Sequence, residues 1–142
     1  MGYAGIADGG ETLFVSGFSN QGLASIDTTA FTLDPIGQYQ PPNQFQCELT
    51  GTGDGRLFTF CPFGTGAWFQ EIDPATAKVI AAHQLSTGGQ AFAWAFAFWG
   101  GDFWLFLNGQ VTKYDPNTQI ETSMGVAPIQ IVGAGVSTCA PL

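Results

Sequence analysis

Between Ala91 and Phe98 an aromatic ring stands at every second position, Phe92, Trp94, Phe96 and Phe98, and alanine fills every gap. A period of two is the signature of a strand, because successive side chains leave a pleated strand on opposite faces. A helix would scatter these rings around its circumference. Neither face is polar, so the pattern predicts a strand buried on both sides, with the Ala91–Ala97 face against another, closely approaching sheet. The chain then reaches Gly100-Gly101, resumes as Phe103 to Leu107, turns at Asn108-Gly109, runs from Val111 to Tyr114 and turns again at Asp115-Pro116-Asn117-Thr118. Gly-Gly and Asn-Gly suit two-residue hairpins, whose primed turns need positive φ. The stretch reads as four short antiparallel strands in a meander.

The meander recurs. Three units align, at about 3-37, 47-86 and 91-124. Their first turns centre near Gly9-Gly10, Asp54-Gly55 and Gly100-Gly101, spaced 45 and 46 residues apart. Their second turns begin at Asp27, Asp73 and Asp115, spaced 46 and 42 apart. A period in the forties with four strands per unit predicts propeller blades. The expected fold is therefore all-β and β-propeller-like: a single repeat domain, 1-142, of about three four-stranded antiparallel blades plus one extra strand, Ile129 to Val136. Between the first two units, "QYQPPNQFQ" reads as a longer loop, since Pro41-Pro42 cannot join a ladder.

Three blades do not close a ring. Either two chains complete one, or earlier blades are missing, or the sheets assemble openly. The closed dimer is the favoured expectation: six blades, each chain lending Ile129–Val136 to its partner beside Tyr3 to Ala7.

In Asp-Pro-x-Thr, proline presets φ for the turn and the aspartate accepts hydrogen bonds from the amides that follow. Asp73-Pro74-Ala75-Thr76 and Asp115-Pro116-Asn117-Thr118 fit this form, and Asp27-Thr28-Thr29-Ala30 is a degenerate copy. Their recurrence at one place in each unit points to turn chemistry rather than to metal binding or catalysis.

The net charge is −8, and the only cations are Arg56, Lys78 and Lys113. Three scattered cations supply no footprint for a phosphate backbone, so nucleic acid is not an expected partner. No apolar run reaches transmembrane length. "MGYAGIADGG" lacks the basic start and long apolar centre of a signal peptide, so if the protein is exported, the start shown is expected to be either that of an expressed piece or that of a mature fragment. Charged residues make up only 10% of the chain, and Gly, Thr, Gln, Asn and Ser supply the polarity instead, a profile closer to secreted β-proteins than to cytosolic enzymes.

Cys47, Cys61 and Cys139 fit no zinc spacing, and His83 is the single histidine. Cys47 and Cys61 flank a predicted hairpin. With a loop of Gly53-Asp54-Gly55 they stand opposite each other and can bond. With a loop of Asp54-Gly55 alone they fall on opposite faces and remain buried thiols. One histidine, expected to face solvent in an outermost strand, leaves little room for Ser-His-Asp or Cys-His catalysis. No glycine-rich loop leads into a helix, so no phosphate cradle and no cofactor is read. Glu48, Asp54 and Asp102 sit at hairpin ends of inner strands. Asp54 and Asp102 share a face and are candidates for a carboxylate pair, though each also satisfies its own turn. Among the aromatics, Trp68, Phe69, Trp99 and Tyr39 lie near expected loops and are candidates for stacking on sugar rings.

The phrases "ELTGTGDGRLFTF", "AWAFAFWGGDFWLFL", "VTKYDPNT" and "IVGAGVSTCAPL" together resemble the repeat region of uncharacterised exported and lipoprotein-type bacterial proteins, mainly of myxobacterial type. The resemblance spans about Glu11 to Leu142 and implies a surface or periplasmic repeat domain. It brings no catalytic residues. The resulting expectation is a non-enzymatic β-repeat interaction and assembly module, exported to the periplasm or cell surface and self-associating. The alternative is a carbohydrate-binding or glycoside-hydrolysing domain that uses Trp68, Trp99, Tyr39, Asp54 and Asp102.

Overall fold

Tight turns at glycine and aspartate divide the described residues into twelve strands. The computed structural model describes residues 1–17, 21–40 and 46–142. In chain order the strands are β1 (Gly2–Gly5), β2 (Glu11–Ser16), β3 (Leu23–Asp27), β4 (Thr32–Gly37), β5 (Glu48–Gly51), β6 (Leu57–Phe63), β7 (Gly66–Ile72), β8 (Val79–Leu85), β9 (Trp94–Trp99), β10 (Asp102–Leu107), β11 (Gln110–Asp115) and β12 (Ile120–Val126). They form three separate four-stranded antiparallel sheets, each a meander in sequence order. No helix occurs among the described residues. The Pro41-Pro42 part of the expected long loop lies outside them.

Local chemistry accounts for the turns. Trp99 pairs with Asp102 and Leu107 with Gln110, so Gly100-Gly101 and Asn108-Gly109 are two-residue loops. All four residues have positive φ, from 50° to 88°, as a type I′ turn demands. The three aspartate turns are copies of one another. Asp27, Asp73 and Asp115 each accept a bond at 2.8 Å on the main-chain carbonyl from the residue four places on, Phe31, Ala77 and Gln119. Each carboxylate also accepts from the amide two places on, at 2.7 to 2.8 Å. The copy without proline therefore folds as the others do, because the aspartate, not the proline, satisfies the amides.

The sheets stack face to face through their first strands, with β5 beside both β1 and β9. The approach of β1 to β5 requires glycine: a Cβ on Gly51 would meet the Ala4 side chain at 2.7 Å and the Tyr3 backbone closer still. Between the first two sheets lies a core of Ala4, Phe14, Leu23, Leu49, Leu57 and Ile72. Between the second and third lies a larger aromatic core. There Phe58 meets Phe103 edge to face at 4.6 Å, and Phe69 meets Phe103 at 4.6 Å and Tyr114 at 4.8 Å. Glu121 of β12 ties the same two sheets at the rim. Its carboxylate accepts from the amide of Ser86 at 2.6 Å and from that of Thr87 at 2.7 Å.

Three expectations change. First, β9 begins at Trp94, and Phe92 is 75% exposed. The cause is Asn108, whose carboxamide oxygen accepts from the amides of Phe92 and Ala93 at 2.9 and 3.2 Å, while its nitrogen donates to the Gln90 carbonyl at 2.8 Å. Those backbone groups are satisfied by the side chain of a distant hairpin and never enter the ladder. Second, the face of β9 that carries Ala95 and Ala97 meets no further sheet. Ile131 and residues 133–136 share a groove with it instead. Third, Ile129–Val136 is not a strand. Among the described residues no fourth sheet offers it a ladder, and Pro128, Gly133 and Gly135 weaken its own extended preference.

Candidate functional site

The end faces of the stack define the candidate site. The third sheet buries Phe103, Leu105 and Tyr114 against its neighbour, so the alternate positions Trp104, Phe106 and Val111 face the other way. Trp104 pairs with Ala97, Phe106 with Ala95 and Trp99 with Asp102, which places all six on this open face. The C-terminal segment crosses it. Ala97, Trp99, Trp104 and Phe106 on one side, with Ile131 and Val136 on the other, line a groove of about 410 Å³. No titratable side chain lines it, so it offers van der Waals contact and ring stacking but no acid, base or nucleophile.

Beyond the groove the segment runs to the hairpin ends of all three sheets. The Thr138 hydroxyl donates to the Glu11 carboxylate. The Thr138 carbonyl packs on Gly53, and the Gly100 amide donates to the Pro141 carbonyl at 3.0 Å.

The first sheet has an open face of its own. It turns Ala4, Phe14 and Leu23 toward the second sheet, and so turns Tyr3, Leu13, Val15, Ile26 and Leu33 away from it. Tyr3 and Leu33 are exposed and the other three half-buried.

The residues singled out from sequence do not converge. Trp99 reaches the groove and is 56% exposed. Trp68 sits in the middle of β7, opposite Cys61 and half-buried, rather than at a loop. Phe69 is buried in the aromatic core. Tyr39 is 2% exposed in the core between the first two sheets, and burial pushes its hydroxyl pKa up to about 12, so it presents nothing to a ligand. Asp54 is held in its turn by the Thr52 hydroxyl. Asp102 accepts from the Lys113 ammonium at 3.0 Å. Both carboxylates thus have local partners, and neither lines the groove. Glu48 is half-buried, and desolvation raises its pKa.

Cys47 and Cys61 are joined by a disulfide, with Cα atoms 4.3 Å apart. Gly51 pairs with Leu57 and Leu49 with Thr59, the register that sets residues symmetric about Asp54 opposite each other. Cys139 is free and exposed.

A second, smaller cleft lies between the second and third sheets. Arg56 bonds both oxygens of Glu71, at 2.9 and 2.8 Å, with its guanidinium 4.9 Å from the Phe58 ring centre. His83 stacks on Tyr114 at 5.7 Å. Burial first, and then the charges of Glu121 and Asp115, push the Tyr114 hydroxyl up to about 12. The single histidine is therefore half-buried against a tyrosine, not solvent-facing.

Among the described residues no cluster of His, Cys, Asp and Glu is arranged to hold a metal ion. No helix there is long and apolar enough to cross a membrane. What sequence reasoning missed is that Trp104 and Phe106 form a row with Trp99. The alternation was visible in β10, but which of its faces would lack a neighbouring sheet was not. The chain matches no protein-family model and no curated protein.

Proposed function

We propose that the protein is a non-enzymatic β-repeat assembly module whose two open sheet faces join copies of the chain into a propeller-like ring. One observation carries this reading: the open faces continue the interface that already repeats within the chain. Trp104, Phe106 and Val111 hold the face that Phe58, Phe60 and Phe69 use to reach the next sheet. Leu13, Val15 and Ile26 hold the face that Leu57 and Ile72 use to reach the preceding one. The third sheet of one copy therefore fits the first sheet of a second, and two such contacts close six sheets about a two-fold axis. Left uncovered, each face is an apolar patch of the kind that soluble monomers rarely carry. The Cys47–Cys61 disulfide and the resemblance to exported repeat proteins support a periplasmic or surface location.

Complementation tests it. Leu13→Asp spoils one face and Trp104→Asp the other, so each variant alone stays monomeric. Mixed, they retain one sound contact and form a heterodimer. No association in the mixture, with wild type also monomeric, sinks the reading.

The row Trp99, Trp104 and Phe106 favours a second reading, glycan binding on the same face, since flat rings stack on sugars. A glycan-array signal that Trp104→Ala abolishes would select it. Tyr39 and Phe69, being buried, take no part.

A further inference from the structure

We infer that residues 129–142 form a strap that covers the assembly face in cis and must leave before a second copy can dock. The inference rests on the assembly reading above and concerns the regulation of that same face. The strap lies along the margin of the face to which the repeat would add a following sheet. Ile131 and Val136 line the groove opposite Trp104 and Phe106, and Val136 packs against the aromatic core. Yet the strap forms no ladder, and most of it is exposed between residues 129 and 139. Its fastenings are few and lie at its far end: Thr138 on Glu11, Thr138 against Gly53, and Pro141 on Gly100. A full sheet would bury far more of the face than this one extended segment, so docking and the strap compete for the same side chains, and docking gains the larger apolar contact. Glu11 belongs to the first sheet, whose open face is the other half of the interface. A seated strap therefore bridges both halves and occupies the gap that a partner must enter.

With the strap seated in about nine chains of ten, the apparent dissociation constant for self-association rises about a hundredfold, because both chains of the ring must be competent and the competent fraction enters once for each. The test locks the strap in the full-length chain. Glu11→Cys with Thr138→Cys, in a Cys139→Ser background, places two thiols where the carboxylate and hydroxyl now meet. The control carries Glu11→Ser, Thr138→Ser and Cys139→Ser. Sedimentation velocity then compares oxidised pair and control over a concentration series. The inference expects the oxidised pair to stay monomeric at ten times the concentration at which the control associates. Equal association of the two overturns the strap and leaves the assembly reading standing. Failure of the cysteines to bond also overturns it, because the strap then does not sit at Glu11 in solution. If pair, control and wild type all remain monomeric throughout, the assembly reading fails and the strap with it.

Discussion

Phe58 of β6 and Phe103 of β10 meet edge to face at 4.6 Å, and they come from opposite faces of their sheets. Phe58 looks forward along the stack and Phe103 looks back. Each sheet thus has a forward and a backward face. Their residues alternate along the second strand: Phe58 and Phe60 against Leu57 and Thr59, Trp104 and Phe106 against Phe103 and Leu105.

Truncation should report this polarity. Phe103 is fully buried and touches several rings, so Phe103→Ala should cost about 3–5 kcal/mol. Trp104 is only half-buried, and Trp104→Ala should cost less than about half of that. Urea midpoints of the two variants measured on monomer decide it. Equal losses would mean that the forward face is as deeply packed as the backward one.

Asn108 holds the entry to β9. Asn108→Gly keeps the turn, since glycine accepts the positive φ of 50°, but it removes the three side-chain bonds to Gln90, Phe92 and Ala93. The expected cost is about 1–3 kcal/mol, with faster amide exchange at Phe92 and Ala93. Unchanged exchange there would show that the carboxamide does not secure the segment.

The aspartate turns set an acid limit. Bonds from the following amides and threonine hydroxyls hold the Asp27, Asp73 and Asp115 carboxyls below the usual value of 3.8, with amides leading at Asp27 and Asp73 and the Thr118 hydroxyl at Asp115. At Glu121 burial pushes the other way, and the bonds from Thr87 and Ser86 outweigh it, leaving its pKa lowered. A depressed folded pKa gives stability that is present above the unfolded value and lost as pH falls through the folded one. Stability should therefore drop below about pH 4. The triple variant Asp27→Asn, Asp73→Asn, Asp115→Asn should show a shallower drop. Glu48 has the opposite sign: its pKa is raised by burial, so Glu48→Gln should gain stability at neutral pH. Thermal melts from pH 2 to pH 7 check both, and a triple variant as acid-sensitive as wild type would contradict the account of the turns.

Gln119 takes a left-handed conformation, φ 59°, at the end of its turn, as Phe31 and Ala77 do in theirs. A side chain is disfavoured there, and Gln119→Gly should stabilise by about 0.5–1 kcal/mol. Gly101→Ala, at φ 83°, should lose a similar amount. Chemical denaturation measures both, and a loss at position 119 would refute the conformational argument.

Much of this fold is legible in the sequence because its turns are local. Gly-Gly, Asn-Gly and the recurring aspartate fix where strands end, and the alternation of rings and small residues fixes which side chains share a face. The register about Asp54 even limits which loop allows Cys47 to reach Cys61. Tyr39 was not legible, because its burial is decided by how two sheets close over a connecting segment. Phe92 was not, because a carboxamide sixteen positions away takes its amide out of the ladder. Nor was the strap. Ile129–Val136 reads as a strand in its apolar positions, and the lack of a partner sheet, together with Pro128, Gly133 and Gly135, leaves it unpaired.

Light scattering on the disulfide-bonded chain, followed from dilute solution to the solubility limit, tests the central claim most directly. Joined open faces predict a mass that rises to twice the 15.0 kDa of one chain and stops there, as a closed ring requires. A mass of 15.0 kDa at every concentration would contradict it.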